Sequence, residues 1–154
     1  MLEHVVDDAN YEAKNKSCNV VLSANIKPVI VANAELLHRS FENIVRNAIN
    51  YTDQSSQVSI KLEISKLHPD SIHICICDDG EGVAEESIEK LFDPFFRVAQ
   101  SRDRSSGGYG LGLAIASRAI LLHGGSIKAR NKKTKGLCIS IELPINIERD
   151  NVRL

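Results

Sequence analysis

The sequence carries almost no net charge: nineteen lysines and arginines stand against twenty aspartates and glutamates, a formal charge of -1. Nucleic acids and anionic membranes are bound through a basic surplus, so those partner classes are excluded and a partner must be sought at a local site. Long apolar runs are missing too. None reaches the roughly 18 to 20 residues that cross a bilayer, and the start, MLEHVVDDAN, lacks the basic end and apolar centre of a secretory signal. The expectation is a cytoplasmic domain that makes no membrane contact of its own. Four cysteines are present and none forms a CxxC pair. In a strand, Cys75 and Cys77 would share a face about 7 Å apart, beyond disulfide reach, so structural thiols are expected rather than a disulfide or a metal site. No lysine lies between Lys90 and Lys128, which excludes a GxxxxGK phosphate loop around the glycines at 107–112. HRD and DFG are both absent, so the protein-kinase signature set is not supported.

What is present is enough for one domain: 154 residues, 43% of them hydrophobic, can bury a substantial core. Leu2, Val5, Val6, Ala9 and Ala13 recur at helical spacing over 2–14. NVVLSA (19–24) and PVIVA (28–32) are expected to form a hairpin. Asn33 is placed to cap a helix over 34–51, with Leu37, Phe41, Ile44, Ala48 and Tyr51 along its core side. Alternating patterns at 57–67 and 71–78 predict two strands. A short helix over 84–91, an irregular stretch over 93–110 and a helix over 111–123 follow. SIKARNK and LCISIELP are expected to close the domain as two strands. This order predicts an α/β fold of α+β type: a two-layer sandwich, its mixed sheet covered on one side by helices.

Three patterns bear on chemistry. Asn43, Asn47 and Asn50 form one stripe on the 34–51 helix, about a third of a turn from the apolar side. Asparagine costs about 0.5 kcal/mol per residue in a helix relative to alanine, so the stripe is either a solvated face or a source of amide oxygens for a hard cation. Arg39 and Arg46 lie near it, where they could meet phosphate. Secondly, the period of two puts Asp78 at the end of the apolar row Ile72, Ile74, Ile76. Such a carboxylate either accepts amides from the turn at Gly80 and Gly82 or binds a ligand donor such as an adenine exocyclic amine. Thirdly, Gly107, Gly108, Gly110 and Gly112 precede an apolar helix. Their GxGxG spacing is not the dinucleotide GxGxxG. It leaves bare amides at a helix start, suited to an anion or to a hinge.

FENIVRNAINYT, DDGEGV, LFDPFFRV and GGYGLGLAIA occur in the order and at the spacings of the N box, first glycine box, F box and second glycine box of the histidine-kinase ATP-binding domain. The sequence resembles that family over about 1–144, leaving 145–154 as a tail, and within it is most similar to envelope-stress sensor kinases of the CpxA type. The resemblance implies the Bergerat, or GHKL, fold with a flexible ATP lid, and Mg2+-ATP as cofactor. It implies that Asn47 ligates Mg2+, that Asn43 and Asn50 line the phosphate side, and that Tyr51 stacks on adenine while Asp78 binds its amine. Gly80 and Gly82 would shape the adenine pocket. Phe95, Phe96, Arg97 and Val98 would belong to the F box, with Arg97 near the phosphates. Gly108, Tyr109, Gly110, Leu111, Gly112 and Leu113 would close over the phosphates. Asn47, Asn43 and Arg97 would form the catalytic set. Two departures stand out: Asn50 where many members carry Lys or Arg, and Tyr109 where a small residue is usual.

The implied partners are a dimerisation and histidine-phosphoacceptor domain and, downstream, a response regulator, within a parent sensor kinase of the inner membrane. None of His4, His38, His68, His73 and His123 sits in the H-E-x-x-x-P motif of an acceptor. Gyrase-like and Hsp90-like relatives carry a water-activating glutamate one turn before the metal asparagine. Here that position is Asn43, which cannot act as a general base. A GHKL-type ATPase and a non-catalytic nucleotide sensor are therefore the alternatives to a kinase.

Overall fold

A computed structural model describes residues 1–14, 17–98 and 109–145. Five strands form one sheet: β1 (Asn19–Ala24), β2 (Gln57–Ile64), β3 (Ser71–Cys77), β4 (Ser126–Asn131) and β5 (Leu137–Pro144), in the order β1-β2-β3-β5-β4. The β1–β2 pair is parallel and the rest are antiparallel. Helices α1 (Leu2–Ala13), α2 (Ala34–Tyr51) and α4 (Gly112–Leu122) cover one face, while α3 (Glu85–Ile88) and a 3-10 turn (Glu89–Phe92) lie in the connection that follows β3.

Alternation decides which face is covered. Val58, Ile60 and Leu62 of β2, Ile72, Ile74 and Ile76 of β3, and Ile139, Ile141 and Leu143 of β5 are buried against the helices. The helices return Val5 and Ala9, then Leu37, Phe41, Ile44, Val45, Ala48 and Ile49, then Leu113, Ala116 and Ile120. Intervening strand residues such as Lys61, His73, Cys75 and Ser140 look outward, which makes a two-layer sandwich with one polar sheet face. As the sequence predicts, Asn33 caps α2, its side-chain oxygen accepting the Leu36 amide at 2.9 Å.

Three expectations are corrected. Residues 28–32 form no strand, and β1 runs parallel to β2 instead of turning back on itself in a hairpin. The free edge of β1 is met by α1: the Asn10 carboxamide accepts the Val20 amide at 2.8 Å and donates to the Val20 carbonyl at 3.0 Å. A side chain thus substitutes for a neighbouring strand. Tyr51 is not part of the apolar side of α2 but is 46% exposed at its end. Finally, Cys77 and Cys138 are not separate thiols. They oppose each other across the β3–β5 ladder, Cα atoms 4.1 Å apart, and are joined as a disulfide.

Candidate functional site

The strand end that carries Asp78 is built around that residue. Asp78 follows the apolar row of β3 and is 4% exposed. Its Oδ1 accepts the Gly80 amide at 2.9 Å and the Leu137 amide at 3.1 Å, and its own amide donates to the Leu137 carbonyl at 3.0 Å. Among the described residues both donors go to Oδ1, which leaves Oδ2 as the free end of the carboxylate. Burial pushes the carboxyl above the usual carboxylate range, and the Gly80 and Leu137 amides, with Lys132 beyond them, pull it back only in part. Of the two uses open to an aspartate before glycine, this one serves its turn with one oxygen and keeps the other.

Asn47, one turn before Tyr51 on α2, lines a small pocket together with Asp78, Ile44, Ala48, Ile76, Leu137 and Ile139. The walls are mostly aliphatic, and one carboxylate and one carboxamide residue complete the lining. Asn43 lies one further turn back and is half-buried. A Cβ added at Gly112 would sit 3.7 Å from its carboxamide, so the start of α4 abuts the asparagine stripe. No side chain caps that start, where Leu111 is the capping residue, so its amides are open to an anion.

The glycines are required by close approach. At Gly80 a Cβ would lie 2.1 Å from the Tyr51 carbonyl oxygen, so the loop after β3 presses on the end of α2. At Gly110, φ is +71° and a Cβ would meet the Phe95 and Phe96 backbone at 2.9 Å, while the Gly110 carbonyl accepts the Phe95 amide at 2.9 Å. The two ends of the 96–109 segment are thereby tied together. Phe95 itself has φ 66° and is 72% exposed, a strained backbone beside the Gly110 contact.

The family model that matches this chain spans residues 32–147, which contain all four motifs, with the description "Histidine kinase-, DNA gyrase B-, and HSP90-like ATPase". The chain belongs to this ATPase family. Among its histidine-kinase relatives is the sensor histidine kinase CpxA of Escherichia coli K12, 39% identical over 144 residues, covering 92% of this chain and 30% of that protein. The sensor protein VanSC of Enterococcus gallinarum is 36% identical over 133 residues, 86% of this chain and 35% of that one. The chain therefore spans about a third of the length of these curated relatives. Among solved structures, the mycobacterial sensor histidine kinase MprB has a TM-score of 0.79 at 24% identity, covering 93% of this chain and 95% of that one. The catalytic domain of the histidine kinase ThkA has a TM-score of 0.77 at 23% identity, covering 94% and 92%. These structures share the fold.

Within the family frame, the structure joins Asn47 to Asp78 in one pocket, Gly80 to Tyr51, Asn43 to Gly112 and Phe95 to Gly110. Arg97 is exposed and Val98 half-buried at the end of a described segment, and Gly108 lies outside the described residues. Asn50 and Tyr109 are exposed, Tyr109 at 84%. Leu113 turns its side chain into the core, so only its backbone could face a phosphate. Arg39 and Arg46 are engaged elsewhere: Arg39 pairs with Glu35 at 2.8 Å, and Arg46 with Glu12 of α1 at 3.2 Å. His123 is a structural residue. Its Nδ1 lies 2.7 Å from the Ala119 carbonyl, to which it donates, and its Nε2 accepts the Asn33 amide at 3.0 Å.

Sequence reasoning missed the supports of the loop. Asn131 pins Val83 from both sides, accepting its amide at 3.0 Å and donating to its carbonyl at 2.7 Å. Thr52 accepts the Asp79 amide at 3.2 Å, and Lys132 pairs with the Asp79 carboxylate. Gly136 has φ +108°, and a Cβ there would fall 2.1 Å from the Asp78 carbonyl oxygen. Glycine at 136 is a local turn signal between β4 and β5, but nothing local to it marks its contact with a residue 58 positions earlier. Gly136→Ala should lower stability by about 2–4 kcal/mol, from combined overpacking and left-handed strain, measured by urea unfolding. Asn131→Ala should cost about 1–2 kcal/mol by the same measurement, because it leaves the Val83 amide and carbonyl without their partner.

Proposed function

We propose that this chain is the catalytic domain, over about residues 1–144 with a tail at 145–154, of a sensor kinase that binds Mg2+-ATP and transfers its γ-phosphoryl group to a histidine on a separate dimerisation and phosphoacceptor domain. The observation that carries the reading is the pairing of Asp78 and Asn47 in one aliphatic pocket beside the uncapped start of α4. A carboxylate with one committed and one free oxygen suits the exocyclic amine of adenine. Guanine presents an acceptor at that position and would be repelled. Tyr51, exposed at the end of α2 one turn after Asn47, would offer a ring face for the base, and Gly80 and Gly82 would shape the adenine side of the pocket.

The donor set fits Mg2+. The Asn47 side chain makes no hydrogen bond to any described residue and offers a neutral oxygen, the ligand type a hard cation accepts when phosphates already supply charge. When bound, the ion would neutralise charge on the transferring phosphoryl group. Asn43 and Asn50 continue the neutral stripe along the triphosphate side. The amides around Gly110, Leu111 and Gly112 would face the phosphates with the α4 dipole behind them, and Gly108, Tyr109 and Leu113 would complete the closing segment. Arg97, next to Val98, supplies the cation that charge development in transfer requires.

Glu42 supports transfer over hydrolysis. A water-activating carboxylate would have to face the pocket, but Glu42 points toward α1, 3.4 Å from His38 Nε2, and lines a groove with Val5, Asp8 and Arg46. Among the described residues no helix is long and apolar enough to cross a membrane. The reading places the domain on the cytoplasmic side of an inner-membrane sensor, with a response regulator taking the phosphoryl group onward.

Mixing the chain with radiolabelled ATP and a separately prepared phosphoacceptor domain from a CpxA-type kinase tests this. Acid-labile label on the acceptor is the expected result. Steady phosphate release with no labelled acceptor would support the ATPase alternative, and nucleotide binding with neither would support a sensing module.

A further inference from the structure

The outward face of the sheet carries a cluster that the nucleotide reading does not use. Cys75 and Cys77 of β3 and Cys138 of β5 hold three sulfurs within 4.8 Å of one another, and among the described residues no histidine or carboxylate joins the group. Cys77 and Cys138 are directly opposed in the ladder and bonded, while Cys75 is a free thiol with its Sγ 3.5 Å from Cys77 Sγ and 3.8 Å from Ser140 Oγ. Cys75 and Cys77 are half-buried. On the same face the strand registers set Lys61 opposite Cys75, Arg130 opposite Cys138 and Lys128 opposite Ser140.

We propose that, once the Cys77–Cys138 bond is reduced, Cys75, Cys77 and Cys138 form a three-thiolate site for a soft metal ion, best suited to monovalent copper. Thiolate sulfur selects soft ions, and Mg2+ and Ca2+ take oxygen. Structural zinc sites are four-coordinate, whereas this cluster supplies three protein sulfurs, the number a trigonal copper(I) centre uses. Sulfurs sharing one ion through bonds of about 2.3 Å stand a little under 4 Å apart; Cys75 Sγ already lies 3.5 Å from Cys77 Sγ, and reduction frees Cys77 and Cys138 to part to a similar separation. Three thiolates and one monovalent ion leave a net charge of -2, which Lys128 and Arg130 offset from neighbouring positions, while Lys61 is paired with Glu63 at 2.6 Å.

The chemistry balances with a dithiol reductant. The Cys77–Cys138 S–S bond breaks, the dithiol supplies two electrons and two protons to give two thiols, and the dithiol itself becomes a disulfide. Copper(I) then forms three Cu–S bonds and the three thiol protons pass to solvent, with no change in the oxidation state of copper. Disulfide and metal exclude each other, because both need the sulfurs of Cys77 and Cys138. The site rests on none of the nucleotide assignments.

The test uses the full chain, reduced and kept anaerobic, and titrated with copper(I) against a chromogenic copper(I) chelator. The reduced chain should withdraw one equivalent, and X-ray absorption should show three sulfur neighbours. Cys75→Ser, Cys77→Ser and Cys138→Ser should each weaken retention by about 100-fold or more, and Cys18→Ala should not. Cys75→Ser leaves the ladder pair intact and is the variant of choice if the other two melt. A reduced chain that leaves all copper with the chelator would overturn the proposal. So would a Cys75→Ser variant that holds copper as tightly as the unsubstituted chain, or equal uptake by the oxidised chain.

Discussion

Asn47→Asp should reduce Mg2+-dependent phosphotransfer by about 10²–10³-fold while the domain stays folded. The substitution preserves shape but adds a negative charge on the side of the pocket where the triphosphate would lie. Two unit charges about 4 Å apart at an effective dielectric near 20 interact by about 4 kcal/mol, which is ample for a loss of that size. The fold should survive because Asn47 is half-buried at a pocket wall and its side chain makes no hydrogen bond to any described residue. Transfer to a supplied acceptor domain, compared with thermal unfolding of the same preparations, checks both halves. Transfer at the unsubstituted rate would remove Asn47 from the metal site.

Asp78→Asn should weaken adenine nucleotide binding by about 10–100-fold, measured by calorimetry, with stability held or slightly raised. A hydrogen bond to a charged acceptor contributes about 1.5–3 kcal/mol, and asparagine would present a donor to the adenine amine where Asp78 presents Oδ2. The carboxamide oxygen can still accept the Gly80 and Leu137 amides, so the loop keeps its anchor. Burial is the first cause of the raised Asp78 pKa, and that fixes the pH dependence. The folded domain holds this proton more tightly than the unfolded chain does. The contribution of Asp78 to stability therefore declines as pH rises from the unfolded value through the elevated one, and asparagine removes that decline. Nucleotide affinity should move the other way, increasing as the carboxyl ionises and falling on acidification at a higher pH than an ordinary aspartate would give. Calorimetry that returned the unsubstituted affinity would refute the adenine assignment.

The frame of the fold was legible because the period of two in 57–64, 71–77 and 137–144 and the period of 3.6 in 34–51 each describe a segment with one buried face. The parallel pairing of β1 was not, because the pattern of residues 19–32 suits a hairpin equally well. Only the carboxamide of Asn10 and the neighbouring edge of β2 decide between them. In the site, Asp78, Asn47, Gly80 and Gly110 were legible as motifs because each lies in a short local signature. Their supports, Asn131, Thr52, Lys132 and Gly136, carry no such signature, since each acts on a loop tens of residues away in the chain.

Sequence alone determined a formal charge of -1, the five strands and the long helices, though not that 28–32 stays out of the sheet, and that four ordered boxes belong to one ATPase family. Tertiary structure alone decided that one Asp78 oxygen is committed to backbone amides and the other is not, that Glu42 faces α1 and Leu113 the core, and that Cys77 meets Cys138. Periodicity tells which side of an element is buried. Which distant atom lies across from it depends on strand register and helix packing, and those are settled only when the whole core closes.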